Sequence, residues 1–122
     1  MAGVLYIVAT PIGNLDDLSL RAAKTLQRVT AVACEDTRQT AKLMEAAGAA
    51  RPLLSLHEHN ERERSAELVE RLLAGEDLAL VSDAGTPLVS DPGYRLVAAA
   101  VEAGIVVSPI PGPSAVLCAL AG

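Results

Sequence analysis

The chain has 122 residues, enough for one domain with a single core, and 51% of them are hydrophobic although there is no Phe and no Trp. We therefore expect a core of Leu, Val, Ile and Ala. Ten basic and fifteen acidic side chains give a net charge of −5, the wrong sign for a domain that binds nucleic acid unaided. No apolar run reaches the ~20 residues of a membrane span and no signal peptide is evident, so we expect a soluble, cytoplasmic protein.

Five short apolar runs predict β-strands, at residues 4–9, 30–34, 52–56, 78–81 and 105–107. The first is rich in β-branched residues and opens almost at residue one, which favours a central strand. The fourth run lies between two pairs of polar residues, at 76–77 and 82–83. This pattern is typical of a strand that is buried on both faces.

The first two helices are predicted from their start and stop signals. Ser19 is a candidate N-cap for a helix over 19–29. Asp36, with Gln39 three residues later, forms a capping-box pattern for the second helix, which Gly48 ends. The first helix presents one apolar face, made of Leu20, Ala23 and Leu26.

The third helix begins with the same pattern and the fourth is rich in alanine. Asn60 and Glu63 repeat the capping arrangement, and Gly75 marks the end of the third helix. The fourth covers 95–103. The buried stripe of the third helix is predicted to contain Leu68, Val69, Leu72 and Leu73.

Strands and helices therefore alternate along the chain. This order predicts an α/β fold with an open, mostly parallel five-stranded sheet and helices on both faces. An apolar segment over 115–121 would be exposed if nothing covered it. We expect the chain to be the first part of a longer protein, or a partner to cover this end.

Most of the candidate functional residues lie in the loops that follow the predicted strands. The carboxyl ends of parallel strands share one edge of a sheet, where α/β proteins bind ligands. Neither a G-x-x-x-x-G-K-[ST] loop nor a G-x-G-x-x-G loop is present, which favours a small, mostly neutral or zwitterionic ligand. The loops that meet there are predicted at residues 10–14, 35–38, 57–60, 82–92 and 109–114.

Five motifs along the chain resemble one known family. They are LYIVATPIGNL (5–15), CEDTR (34–38), HEHNE (57–61), SDAGTPLVSDPG (82–93) and PGPSA (111–115). In this order they are similar to the ribosomal RNA small subunit methyltransferase I family of the tetrapyrrole methylase superfamily. Gly85-Thr86-Pro87, where the superfamily usually has Gly-Asp-Pro, resembles this branch.

The resemblance implies a two-domain enzyme that uses S-adenosylmethionine. It would methylate the ribose 2′-hydroxyl of a cytidine in 16S ribosomal RNA, and such enzymes are typically homodimers. Residues 1–122 would be the amino-terminal α/β domain, with the second domain absent from this chain. We expect the chain alone to be inactive.

The same resemblance implies which residues form the site. Cofactor contacts map onto Pro11, Gly85, Thr86, Val89, Ser114 and Ala115, although Val89 and Ala115 are equally compatible with ordinary core positions. Titratable groups at the predicted edge favour Asp36, Arg38 and His57 as catalytic residues, in undetermined roles. Asp36 is equally suited to capping a helix, and His57 to hydrogen bonding at a strand end.

Metal binding is not predicted. His57 and His59 could form a ligand pair, but no third ligand at suitable spacing is evident. Cys34 and Cys118 lie in apolar runs and are interpreted as buried thiols. Two other functions remain open: a non-catalytic α/β module that binds a small ligand, and a tetrapyrrole methyltransferase of the same superfamily.

Overall fold

The protein is described by a computed structural model for residues 1–9, 18–82 and 93–110. Within these ranges, five strands alternate with four helices, as predicted. The strands are β1 (Val4–Ala9), β2 (Ala31–Cys34), β3 (Leu53–Ser55), β4 (Leu78–Ser82) and β5 (Val106–Ile110). The helices are α1 (Leu20–Arg28), α2 (Thr37–Ala46), α3 (Glu61–Leu73) and α4 (Gly93–Glu102). None of these helices combines the length and the apolar character needed to cross a membrane.

The strands form one sheet in the order β3-β2-β4-β1-β5. Every strand pair is parallel, which confirms the predicted open α/β sheet and the central place of β1. Ala9 lies opposite Ser82, and Val8 lies opposite both Val81 and Ile110. The strands β4, β1 and β5 therefore end at nearly the same level on one edge.

Helices cover both faces of the sheet, and each face has its own core. Leu26 of α1 and Leu43 of α2 pack with Val32 on one face. Leu68 of α3 and Leu96 of α4 pack on the other. Side chains alternate across a strand, so both faces of the inner strands can be apolar and buried. This is why their sequences are continuous apolar runs.

Two leucines assigned to buried stripes are exposed. Leu20 is 70% exposed and Leu73 is 51% exposed, so both predictions were wrong. Helix α1 instead buries Ala22, Thr25 and Leu26. At about 100° per residue, Leu20 lies on the opposite side of α1 from these three residues.

The predicted start and stop signals are otherwise confirmed at three helix ends. The hydroxyl of Ser19 accepts a hydrogen bond from the Ala22 amide at 3.1 Å. Gly48 (φ 66°) follows α2 and Gly75 (φ 103°) follows α3. Glycine adopts these left-handed conformations without the steric cost of a Cβ atom, so it ends both helices.

Strand β5 extends further than predicted, which its place at an edge of the sheet permits. Its predicted end was residue 107, whereas the strand continues to Ile110 and includes Pro109. Proline has no amide hydrogen, and an edge strand needs hydrogen bonds on one side only. Pro109 therefore pairs with Ile7 of β1 without interrupting the sheet.

The amino edge of the sheet is closed by Gly3 and Asp77. The Val4 amide donates to the Asp77 carboxylate at 2.8 Å, and the Gly3 amide donates to the Leu72 carbonyl at 2.7 Å. A Cβ atom at Gly3 would overlap the backbone carbonyl of Glu76. The chain can approach the end of α3 this closely only with glycine at position 3.

Candidate functional site

Strands β4 and β1 are neighbours, but the helices that follow them lie on opposite faces of the sheet. The helix that follows β1 is α1, in the core that contains Val8. The helix that follows β4 is α4, in the core that contains Leu80. In α/β proteins, ligands bind in a crevice beyond the carboxyl ends of two neighbouring strands whose following helices lie on opposite faces. The corresponding position in this chain, called the crevice below, is beyond Ala9 and Ser82, which are opposite one another in the sheet.

The six residues assigned to cofactor binding lie outside the described ranges. Their position in the chain is nevertheless set against described strand ends. Pro11 follows β1, Gly85, Thr86 and Val89 follow β4, and Ser114 and Ala115 follow β5. These three strands are adjacent in the order β4-β1-β5. All three segments therefore begin at the same edge of the sheet, where the carboxyl ends of these strands lie.

The catalytic candidates follow the two remaining strands. Asp36 comes two residues after Cys34 of β2, and His57 comes two residues after Ser55 of β3. Cys34 and Ser55 are paired in register, and the Leu56 amide donates to the Cys34 carbonyl at 2.8 Å. Asp36 and His57 are thus brought to neighbouring strand ends on the same edge as the crevice.

Asp36 caps helix α2. Its Oδ1 atom accepts hydrogen bonds from the amides of Arg38, at 2.9 Å, and Gln39, at 3.2 Å. These amides have no partner inside the helix, and an aspartate at this position satisfies them. The capping interpretation of Asp36 is confirmed. Its carboxylate and the Arg38 side chain are both exposed at the edge of the sheet.

His57 belongs to a turn that Asn60 holds in place. Asn60 accepts from the His57 amide through Oδ1, and its Nδ2 donates to the Ser55 carbonyl, both at 2.9 Å. Asn60 precedes α3 but makes no side-chain cap hydrogen bond. The predicted start of the helix after Asn60 is confirmed, but the predicted capping hydrogen bond of its side chain was wrong. Both polar atoms of its amide group are used to attach the turn to the end of β3.

The ring of His57 has a defined hydrogen-bonding role. Its Nδ1 atom accepts from the His59 amide at 3.2 Å. A neutral imidazole that accepts at one nitrogen carries its proton on the other. His57 therefore presents an Nε2–H donor. In this arrangement it is suited to orienting an oxygen atom, and removing a proton would require the other tautomer.

The two histidines meet edge to face across the turn. Their ring centroids are 5.9 Å apart, with an interplanar angle of 65°. Residues 58–60 form a turn, so the two histidines do not lie on one extended segment. Over residues 1–9, 18–82 and 93–110, no three His, Cys, Asp or Glu side chains are grouped in a way that could hold a metal ion.

Cys34 lies directly beneath this edge and is fully buried, as predicted. Burial raises the pKa of its thiol, a hydrogen bond with Thr40 opposes the rise, and the Asp36 carboxylate adds to it. A thiol with a raised pKa stays protonated near neutral pH and is a poor nucleophile. Cys34 is therefore a core side chain.

Sequence reasoning missed an ion pair that joins α3 to α4 near the edge. Glu61, the first residue of α3, pairs with Arg95 in the first turn of α4 at 2.8 Å through Oε1. The Oε2 atom of Glu61 and the hydroxyl of Ser65 are buried without a hydrogen-bond partner among the described residues. Glu61 closes the HEHNE motif, but nothing in the local pattern indicates a partner so distant along the chain.

One known protein family matches nearly the whole chain. The chain matches the model of the Tetrapyrrole (Corrin/Porphyrin) Methylases over residues 4–122. The chain belongs to this family. This match confirms the resemblance of the five motifs to the tetrapyrrole methylase superfamily.

Two curated relatives carry the name ribosomal RNA small subunit methyltransferase I. The protein from Xylella fastidiosa is 59% identical over 118 residues, which is 97% of this chain and 43% of the relative. The protein from Pseudomonas aeruginosa is 55% identical over 119 residues, 98% of this chain and 42% of the relative. This member of the tetrapyrrole methylases thus spans about two fifths of the length of the relatives it matches.

A solved structure shows the same fold. Uroporphyrin-III-C-methyltransferase from Thermus thermophilus superposes with a TM-score of 0.70 at 24% identity, covering 92% of this chain and 48% of that protein. At this identity the likeness concerns the fold alone. The five-stranded parallel sheet is therefore an arrangement that this chain shares with that protein.

Proposed function

We propose that this chain is part of an S-adenosylmethionine-dependent methyltransferase that acts on ribosomal RNA of the small subunit. The observation that carries the proposal is the identity of 59% and 55% to two proteins of that name over nearly the whole chain. The finer proposal is that the methyl group goes to the ribose 2′-hydroxyl of a cytidine in 16S ribosomal RNA. The five motifs of the sequence analysis support this reading.

We propose that the cofactor binds in the crevice beyond β4, β1 and β5. Adjacent strands are about 4.8 Å apart, so β4 and β5 are separated by roughly 10 Å, a span that a nucleoside joined to an amino acid can bridge. We assign the cofactor contacts to Pro11, Gly85, Thr86, Val89, Ser114 and Ala115. The glycine leaves room for close approach to the backbone, and the Thr86 hydroxyl can hold a carboxylate. When bound, the cofactor supplies an electrophilic methyl group on a sulfonium.

Asp36, Arg38 and His57 are proposed to act on the substrate beside that crevice. His57 offers an Nε2–H donor that can orient a ribose oxygen or a phosphate oxygen. The exposed guanidinium of Arg38 can donate two hydrogen bonds to one phosphate group. The Asp36 carboxylate already caps α2 and can accept a proton from a hydroxyl placed against it. Correct positioning of the hydroxyl would supply much of the rate enhancement.

The active protein is proposed to be longer than this chain. Curated relatives are more than twice as long, so we infer that transfer needs a second domain that completes the cofactor and RNA contacts. Residues 1–122 would form the amino-terminal domain of a cytoplasmic homodimer. The chain alone is expected to bind the cofactor weakly and to transfer no methyl groups.

A binding titration tests the cofactor proposal first. The chain is titrated with S-adenosylmethionine, S-adenosylhomocysteine and ATP, and we expect heat from the first two only. Thr86→Val should weaken binding, while Thr30→Val, at the opposite edge of the sheet, should not. Preferential binding of ATP would instead favour a non-catalytic ligand-binding module.

A transfer assay tests the substrate. The longer polypeptide is supplied with cofactor labelled in the methyl group and with either small ribosomal subunits or a porphyrin precursor. Label in the ribosomal RNA, located on a ribose after nuclease digestion, is the expected result. Label in the porphyrin alone would establish a tetrapyrrole methyltransferase and refute the RNA proposal.

A further inference from the structure

A groove lies between α1 and the edge formed by β1 and β5. Its volume is about 790 Å³. Its floor includes Tyr6 of β1 and Ser108 and Ile110 of β5, and one wall is α1. Among the described residues nothing covers the groove, and Leu20 and Val106 on its rim are 70% and 63% exposed.

The α1 wall is strongly basic in a chain whose net charge is −5. Arg21, Lys24 and Arg28 line the groove and are all exposed. Helix α1 has no acidic residue, and none of the three side chains forms an ion pair within the described ranges. The positive charge of this wall is therefore not neutralised by neighbouring described carboxylates.

One of the cations is held in place before any ligand binds. The guanidinium carbon of Arg28 lies 5.6 Å from the centre of the Tyr6 ring, and its Nη2 donates to the Tyr6 hydroxyl at 3.4 Å. A guanidinium stacked on an aromatic ring is attracted to the ring face. Because its orientation is already restricted, less conformational entropy is lost when it binds an anion.

The spacing of the three cations suits a chain of anions. Positions 21 and 28 are seven residues apart on the helix, or about 10 Å along the axis, and position 24 lies between them. An anionic chain of that length can contact two or three of them together. Helix α1 starts near the carboxyl edge of the sheet, so Arg21 is the cation nearest the crevice described above.

We propose that this groove binds the phosphate backbone of the RNA substrate and leads the strand toward the crevice. This inference rests on the proposed function for the class of ligand. For the surface, it rests on three cations that form no ion pair with other described residues. The acidic net charge made nucleic-acid binding unfavourable for the chain as a whole. The structure gathers three of its ten basic side chains along one groove, and local charge density governs phosphate binding.

The test compares two double variants with the same charge change. Arg21→Gln with Lys24→Gln removes two cations from the groove. Lys42→Gln with Arg62→Gln removes two exposed cations from α2 and α3, outside the groove. Binding to protein-free small-subunit ribosomal RNA is measured over a series of salt concentrations, in this chain and in the longer polypeptide. Thermal unfolding and S-adenosylmethionine binding are measured for each variant, and neither should change.

Counterion release sets the expected size of the effect. Two contacts to single-stranded phosphate contribute about 1.4 to the slope of log affinity against log salt, or roughly 25-fold in affinity near 0.1 M salt. The groove variant should lose that slope and that affinity. The control variant should change binding less than about 3-fold, because its cations do not line this groove.

Three results would overturn the inference in different ways. Equal weakening by both double variants would mean that binding follows net charge alone. Weakening in the short chain but not in the longer polypeptide would mean that another part of the protein covers the groove. If the parent protein binds the methyl donor but no RNA, the RNA substrate itself is wrong, and the groove proposal fails with it.

Discussion

Replacing Asp36 separates its role as a helix cap from its proposed role in catalysis. Asp36→Ala removes the oxygen that accepts from the Arg38 and Gln39 amides. Losing such a cap typically costs about 1 kcal/mol, which for a domain of this size lowers the melting temperature by roughly 4 °C. Asp36→Asn keeps an acceptor oxygen at the same position and should be nearly as stable as the parent, because the two residues cap helices equally well.

Both variants are measured by urea unfolding and, in the longer polypeptide, by methyl transfer. If the carboxylate takes part in proton transfer, Asp36→Asn should lower kcat about 100-fold or more at unchanged stability. Ser19→Ala removes the cap of α1 and calibrates the cost of losing one hydrogen bond of this kind. Equal destabilisation by the Asn and Ala variants would refute the capping argument. Full activity of the Asn variant would remove Asp36 from the catalytic residues.

Three further predictions follow from the contacts. Gly3→Ala should destabilise the protein by about 3 kcal/mol in urea unfolding, because the added Cβ would overlap the Glu76 carbonyl; unchanged stability would show that the strand end can shift. Asn60→Ala should cost about 1–3 kcal/mol and change the NMR signals of His57, since two hydrogen bonds of the turn are lost; unaltered His57 signals would contradict this. In a Cys118→Ser background, Cys34 should resist alkylation at neutral pH. Its pKa is raised by folding, so its contribution to stability is complete below the usual value of 9.0 and is lost as pH rises through the folded value. A Cys34→Ala variant should not lose this stability at alkaline pH. If the parent and the Cys34→Ala variant lose equal stability there, the raised pKa of Cys34 is refuted.

Local patterns predicted the candidate site only in part. The positions of Asp36 and His57 after their strands follow from strand ends that can be read directly from the sequence. The hydrogen bonds of Asn60 do not, because a cap and a turn anchor use the same residue type just before a helix. The Glu61–Arg95 pair was missed because it joins two helices that touch only after the sheet has formed.

The exposure of individual helix side chains also depends on contacts between segments that are distant in the chain. Leu20 and Leu73 fit a helical periodicity but lie on sides of their helices that no described element covers. The groove beside α1 likewise exists because β5 is an edge strand that α1 only partly covers. Periodicity identifies an amphipathic helix, whereas the neighbours of each helix determine which part of its surface is buried.

The sequence by itself determined the alternation of strands and helices, the glycines at helix ends and the family motifs, because these depend on residues close together in the chain. Only the tertiary structure decided the strand order β3-β2-β4-β1-β5. That order places the ends of β1 and β4 side by side with their helices on opposite faces. Strand order depends on how crossover connections pack against the sheet, a property of contacts between distant segments that no short stretch of sequence contains.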